Sequence, residues 1–145
     1  MGLGRRGRGL IVIDSSAVVA MIWREPGAEV LARRLADAAV GSRLMSVANY
    51  VEAATVLAGR HREPGQGVAD LDAFLEGAGV TLAPVDEDQA RLAIWARLRF
   101  GKGFGGAAKL NFGDCFAYAL SKTRAAPLLF VGSDFLSTDI VAALA

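Results

Sequence analysis

The sequence holds one cysteine, Cys115, and one histidine, His61. A single thiol excludes a disulfide framework and a thiolate zinc site within the chain, and it points to a reducing compartment, so a cytoplasmic location is expected. His61 follows Arg60 just past an apolar helical stretch and reads as a surface residue; Cys115 sits among apolar neighbours and reads as a buried helix residue. Long hydrophobic runs are also missing. The stretch 10–13 is cut short by Asp14 and none reaches the ~18–20 residues that cross a bilayer, so neither a membrane span nor a secretory signal core is expected. Excess charge is absent too. The net charge of +1 becomes −2 once Arg5, Arg6 and Arg8 are set aside, so any nucleic-acid surface on the folded part must be a local patch.

What is there suits one domain. The chain has 145 residues, 53% hydrophobic and 21% charged, enough apolar matter to offset the entropy of ordering and to hide ~70% of the unfolded surface. Residues 1–9, MGLGRRGRG, read as a flexible Gly/Arg-rich extension, leaving 10–145 as the domain. Short apolar runs at 10–13, 44–46, 80–84 and 127–131 suit buried strands. Between them lie helical patterns over about 15–23, 26–40, 47–60, 68–77, 89–99 and 113–123, with a loop over 63–67 and a glycine-rich loop from 101 to 111. The apolar helix over 47–60 is expected to be largely buried. This alternation predicts an α/β domain with a mainly parallel sheet covered by helices on both faces, its ligands lying beyond the carboxyl ends of the strands.

Most of the 15 carboxylates have charged neighbours in sequence, but Asp14, Glu52, Asp114, Asp134 and Asp139 do not. Singly, Asp14 and Asp114 can cap helices, Asp134 can stabilise a turn after Gly132, and Asp139 can sit in solvent near the end of the chain. Glu52 falls in mid-helix, where a lone buried carboxylate costs several kcal/mol unless paired or protonated. Local sequence supplies no counter-ion. If these acids converge, a cation is needed to hold them, and an oxygen-only donor set selects Mg²⁺ or Mn²⁺. A divalent ion so held supports hydrolysis of a phosphodiester. The segment 91–109 contains no acid but carries Arg91, Arg97, Arg99, Lys102 and Lys109, which can meet phosphates; Phe100, Phe104 and Phe112 are core anchors or platforms for bases.

Four stretches in order, IVIDSSA at 11–17, SVANYVE at 46–52, LNFGDCFAY at 110–118 and LLFVGSDF at 128–135, resemble the PIN-domain ribonucleases, and most of all the VapC toxins of bacterial VapBC toxin-antitoxin systems. The resemblance covers about residues 10–142. It implies a three-layer α/β/α PIN-like domain with a mainly parallel central sheet, Mg²⁺ or Mn²⁺ at an acidic pocket, and endonucleolytic cleavage of RNA. It further implies inhibition by a cognate VapB-like antitoxin, homodimerisation and no membrane association. By position, Asp14 and Asp114 would be the principal metal ligands, Glu52 would complete the pocket, and Asp134 would take the fourth place with Asp139 in reserve. Ser16 matches the family's hydroxyl beside the first Asp and would bind a water or the substrate phosphate. Where relatives often carry another polar or acidic residue, this chain has Ser133. Two other readings stand beside the toxin: an RNA-processing nuclease of the same fold, and a metal-dead domain kept for binding a protein.

Overall fold

The computed structural model describes residues 9–144, so the extension expected over residues 1–9 lies outside them except for Gly9. Among the described residues, strands β1 (Ile11–Ile13), β2 (Arg43–Ser46), β3 (Val80–Ala83) and β4 (Leu128–Leu129) alternate with helices. The helices are α1 (Ser15–Ile22), α2 (Ala28–Asp37), α3 (Val47–Gly59), α4 (Pro64–Gly77), α5 (Glu87–Phe100) and α6 (Phe112–Arg124). The strands form one sheet in the order β3-β2-β1-β4, every pair parallel. Strand β1 is flanked on both edges, and its three residues are fully buried. Alternation along β1 divides the core. Ile11 and Ile13 pack with Val18 of α1, Leu35 of α2, Leu57 of α3 and Leu71 of α4, while Val12 packs with Ala96 of α5 and Tyr118 of α6. Helices therefore cover both faces, giving three α/β/α layers, and each fully buried branched side chain of β1 contributes roughly 1.5–3 kcal/mol.

Several boundaries depart from the sequence pattern for identifiable reasons. Helix α2 spans Ala28–Asp37 rather than 26–40. Its start is set by Gly27 in the left-handed region (φ 91°), and past its end the Arg43 guanidinium takes the Ala38 carbonyl at 2.7 and 3.0 Å and that of Ala78 at 2.6 Å. The expected loop over 63–67 is instead largely the first turn of α4, with Pro64 at a position where its missing N–H costs nothing. Gly67 in that turn lies so close to α3 that an added Cβ would stand 2.7 Å from the Leu57 backbone carbonyl. Helix α3, expected to be largely buried, is fully buried along Asn49, Ala53 and Leu57, while Val51 on its outer side is 58% exposed. Strand β4 stops at Leu129 because the Val131 N–H turns to the Ser16 hydroxyl at 3.0 Å and Gly132 reverses the chain at φ 98°.

Residues 141–143 run beside β4 in the parallel sense, with Leu128 N–H donating to the Val141 carbonyl at 2.9 Å and Ala143 N–H to that of Leu128 at 2.8 Å. No helix among the described residues is long and apolar enough to cross a membrane.

Candidate functional site

Asp14 follows directly on β1 and is the N-cap of α1, its extended backbone (φ −77°, ψ 154°) turning the chain from strand to helix. Its Oδ2 accepts from the Ser16 N–H at 3.1 Å and the Ser16 hydroxyl at 2.5 Å. The same hydroxyl accepts from Val131 N–H, so Ser16 ties the start of α1 to the segment beyond β4. Oδ1 of Asp14 is buried and has no hydrogen-bond partner among the described residues. Burial raises the Asp14 carboxyl to about 6 and the charge of Glu52 adds to it, against the Ser16 bonds that lower it.

Glu52 projects from the second turn of α3, which begins where β2 ends and is capped by Ser46 through its contact with Ala48 N–H at 3.2 Å. Glu52 Oε1 accepts from the Ser15 hydroxyl at 2.5 Å and from Asn49 Nδ2 at 3.2 Å. Asn49 is wholly buried and also donates to the Gly113 carbonyl at 2.9 Å, joining α3 to the start of α6. Position 113 has no room for a side chain. A Cβ there would collide with the Glu52 carboxylate.

Asp114 stands in the first turn of α6 within a reciprocal cap: Asn111 Oδ1 accepts from Asp114 N–H at 2.8 Å, and Asp114 Oδ2 accepts from Asn111 N–H at 3.0 Å. It is thus both a helix cap and a member of the acidic group. Burial raises its carboxyl to about 7; the Asn111 bond lowers it, and the charges of Asp14, Asp134 and Glu52 raise it further. Four carboxylates separated by up to 120 residues of sequence therefore feel one another in one region beyond the carboxyl ends of β1, β2 and β4.

Asp134 is exposed, in the turn after Gly132, and belongs to this group through its effect on Asp114. Asp139 is engaged elsewhere. It accepts from the Tyr118 hydroxyl at 2.7 Å and from Lys122 Nζ at 2.9 Å, and despite partial burial these partners hold its carboxyl below its ordinary value. Of the two, Asp134 is the one that neighbours the acidic group, and Asp139 is held by Tyr118 and Lys122. Lys102 and Lys109 are exposed on the loop over 101–110 and make no salt bridge among the described residues. That loop is closed at its base: Lys102 N–H donates to the Leu110 carbonyl at 2.9 Å, and Arg97 Nη1 donates to the carbonyls of Lys102 and Leu110 at 3.1 and 3.2 Å.

Sequence reasoning passed over Ser15, Asn49, Asn111 and Gly113. Asn49 was findable as the residue one helical turn before Glu52, and the Asn111-to-Asp114 spacing is that of a capping box. Nothing local marks Ser15 or Gly113, whose roles depend on Glu52 arriving from another helix.

The donor set suits a hard divalent cation. It is all oxygen, and among the described residues no salt bridge neutralises it and no donor satisfies the buried Oδ1 of Asp14. Among the described residues no three acidic, histidine or cysteine side chains are already closed on one point in metal-holding geometry, so the group is a loose gathering of like charges rather than a tight cage. A recess of about 700 Å³ between the α1–α2 turn and Phe74 of α4 touches none of the four carboxylates.

Comparison with known proteins agrees with this architecture. The PIN domain family model matches residues 11–141. The chain is 48% identical over 132 residues to Ribonuclease VapC of Mycolicibacterium smegmatis, covering 91% of this chain and 98% of that protein. It is 47% identical over 133 residues to Ribonuclease VapC30 of Mycobacterium tuberculosis, covering 90% and 95%. Among solved structures it is similar in fold to Mycobacterium tuberculosis VapC20, described as a Sarcin-Ricin loop cleaving toxin, with a TM-score of 0.70 at 18% identity over 90% of this chain and 96% of that one. A toxin-antitoxin complex from Klebsiella pneumoniae aligns with a TM-score of 0.65 at 14% identity, over 91% and 95%. With nearly its whole length matched, and with its acids held at the carboxyl end of a parallel sheet, the chain belongs to the PIN-domain family, among the VapC ribonucleases.

Proposed function

We propose that the chain is a Mg²⁺- or Mn²⁺-dependent endoribonuclease that hydrolyses RNA phosphodiester bonds in the cytoplasm, as the toxin of a type II toxin-antitoxin system. The observation that carries this reading is the Asp14 oxygen buried without a donor amid three further carboxylates. Asp14 and Asp114 would hold the ion, with Glu52 and Asp134 completing the acidic pocket. When bound, the ion supplies positive charge that neutralises the phosphoryl group and acidifies an attacking water.

The chain's own residues do the rest. Ser16 fixes the Asp14 rotamer through its hydroxyl and its N–H, and Ser15 with Asn49 fixes Glu52. The Asn111 cap holds Asp114. Lys102 and Lys109, on a stretch without acids, would meet backbone phosphates on the flanks of the scissile bond.

The names of the relatives support RNA as substrate, and the toxin-antitoxin complex of similar fold supports a small VapB-like antitoxin as partner. Self-association belongs to the same reading, and Ile94 and Leu98 of α5, 61% and 58% exposed, offer apolar surface for it. The decisive experiment is cleavage of RNA in Mg²⁺ by wild type and Asp114→Asn: the variant should be inactive while folded, and equal cleavage refutes the assignment. Growth arrest on expression, relieved by the small protein encoded beside it, would distinguish the toxin from an RNA-processing nuclease.

A further inference from the structure

Phe112 is the first residue of α6 and stands 72% exposed beside the acidic group. Leaving the ring in water forfeits roughly 1.5–3 kcal/mol of burial. It forms one wall of a recess of about 360 Å³, with Phe116 set against it edge-on at 5.0 Å between ring centroids and 72° between planes. Ala48 and Val51 of α3 form the opposite wall, and Glu52 and Asn111 close the recess. The recess thus shares Glu52 with the acidic pocket, and its walls are apolar. Asn111 spends its Oδ1 on the α6 cap, which leaves its amide N–H₂ to donate.

From this geometry we infer that the recess is a nucleobase subsite: the base next to the scissile phosphate stacks on Phe112, its edge accepting from Asn111. The inference rests on the reading of the chain as a ribonuclease, since it is a phosphate at the carboxylates that would bring a base here. The chemistry otherwise fits on its own terms. A flat aromatic face accepts any base, a single amide donor favours one with a carbonyl oxygen at its edge, and the aliphatic wall of α3 excludes water from the other face. Phe112 then binds the base, and Asn111 selects among bases. Phe100, by contrast, is packed in the core, and the Phe104 ring on the loop is covered by the Arg97 guanidinium at 5.1 Å.

The test uses the full chain and single-stranded oligoribonucleotides, one series intact and one with an abasic unit at successive positions. Wild type should bind the intact strand about tenfold more tightly than a strand abasic at one position, and Phe112→Ala should not distinguish the two, with Phe112→Tyr restoring the difference. In cleavage, Phe112→Ala should raise KM by a similar factor whatever the base at the cut and leave kcat within about twofold. Mn²⁺ binding by calorimetry should be unchanged in all three proteins.

Equal discrimination of abasic strands by wild type and Phe112→Ala overturns the subsite. So does a loss of RNA affinity that only follows a shift from dimer to monomer in sedimentation, which would assign this surface to a protein contact. If wild type recognises the base through Phe112 but cuts no RNA in Mg²⁺, the nuclease reading fails and the subsite stands.

Discussion

Asp14→Asn asks whether the acidic group costs the fold what its burial implies. Burial, more than the charge of Glu52, lifts the Asp14 carboxyl from 3.8 to about 6 in the folded chain. A folded-state value above the unfolded one means that the folded chain holds this proton more tightly. The contribution of Asp14 to stability is therefore greatest below about 3.8, declines as pH rises from there through about 6, and stays lowered above it. At about 1.4 kcal/mol per pKa unit, the full penalty is about 3 kcal/mol. Of this, about 2 kcal/mol should be lost between about pH 4.5 and about pH 7.5.

Urea unfolding followed by circular dichroism, in EDTA, would measure it. Asp14→Asn keeps an oxygen to accept from Ser16 but puts an amide N–H₂ where Oδ1 lies unpartnered, a cost of about 1–3 kcal/mol. The variant's stability at about pH 7.5 should thus match or modestly exceed wild type, and its fall between the two pH values should be about 2 kcal/mol smaller. Mn²⁺ at a hundredfold excess over Kd should stabilise wild type by about 2.7 kcal/mol and the variant by much less. The same pH dependence in both proteins would refute the claim that Asp14 is a strained acid, and equal Mn²⁺ stabilisation would refute its place at the ion.

Gly113→Ala should displace Glu52, lowering stability by about 1–3 kcal/mol through overpacking and cutting Mg²⁺-dependent cleavage at least ~10-fold; urea unfolding and an RNA cleavage assay check both. Lys102→Ala with Lys109→Ala should weaken RNA binding uniformly across sequences and shrink the slope of log K against log salt by roughly 0.7 for each phosphate no longer neutralised, as read by fluorescence anisotropy. Asp139→Asn should leave cleavage intact and cost at most about 1 kcal/mol, since the Lys122 pair is half exposed. The carboxyl of Asp139 is held below its ordinary value, so this small contribution is present above that value and fades as pH falls toward and through the folded one; thermal melts at neutral and acid pH would show it.

The parts of the molecule that were legible in the sequence are those governed by near neighbours. The run 10–13 ending in Asp-Ser-Ser announced a buried strand feeding a capped helix, and Glu52 stood out because α3 has no other ionisable side chain of like charge or opposite. What stayed hidden depends on contacts between distant segments. Pro64, Gly65 and Gly67 suggested a loop, whereas α4 starts there because Gly67 lets it press against Leu57. The end of α2 answers to Arg43, which binds the carbonyls of Ala38 after α2 and of Ala78 after α4. Asp134 and Asp139 looked alike in sequence, and only the folded chain gives Asp139 to Tyr118 and Lys122. Gly113 is the sharpest case, since the reason for its missing side chain lies 61 positions away in Glu52.

The closed base of the loop over 101–110 gives the protein a place where length is cheap. Because Gly101 pairs with Leu110 and Arg97 fastens the neck, the tip, with Gly103, Gly105 and Gly106 all at positive φ and nothing packed against them, is mechanically insulated from the helix that starts two residues later. Insertions, a fluorescent label or a grafted recognition peptide at Gly105 can ride on that tip without tugging on Asp114. Evolution has the same freedom: new target preferences can be tried at the fingertip while the hydrolytic machinery is left alone.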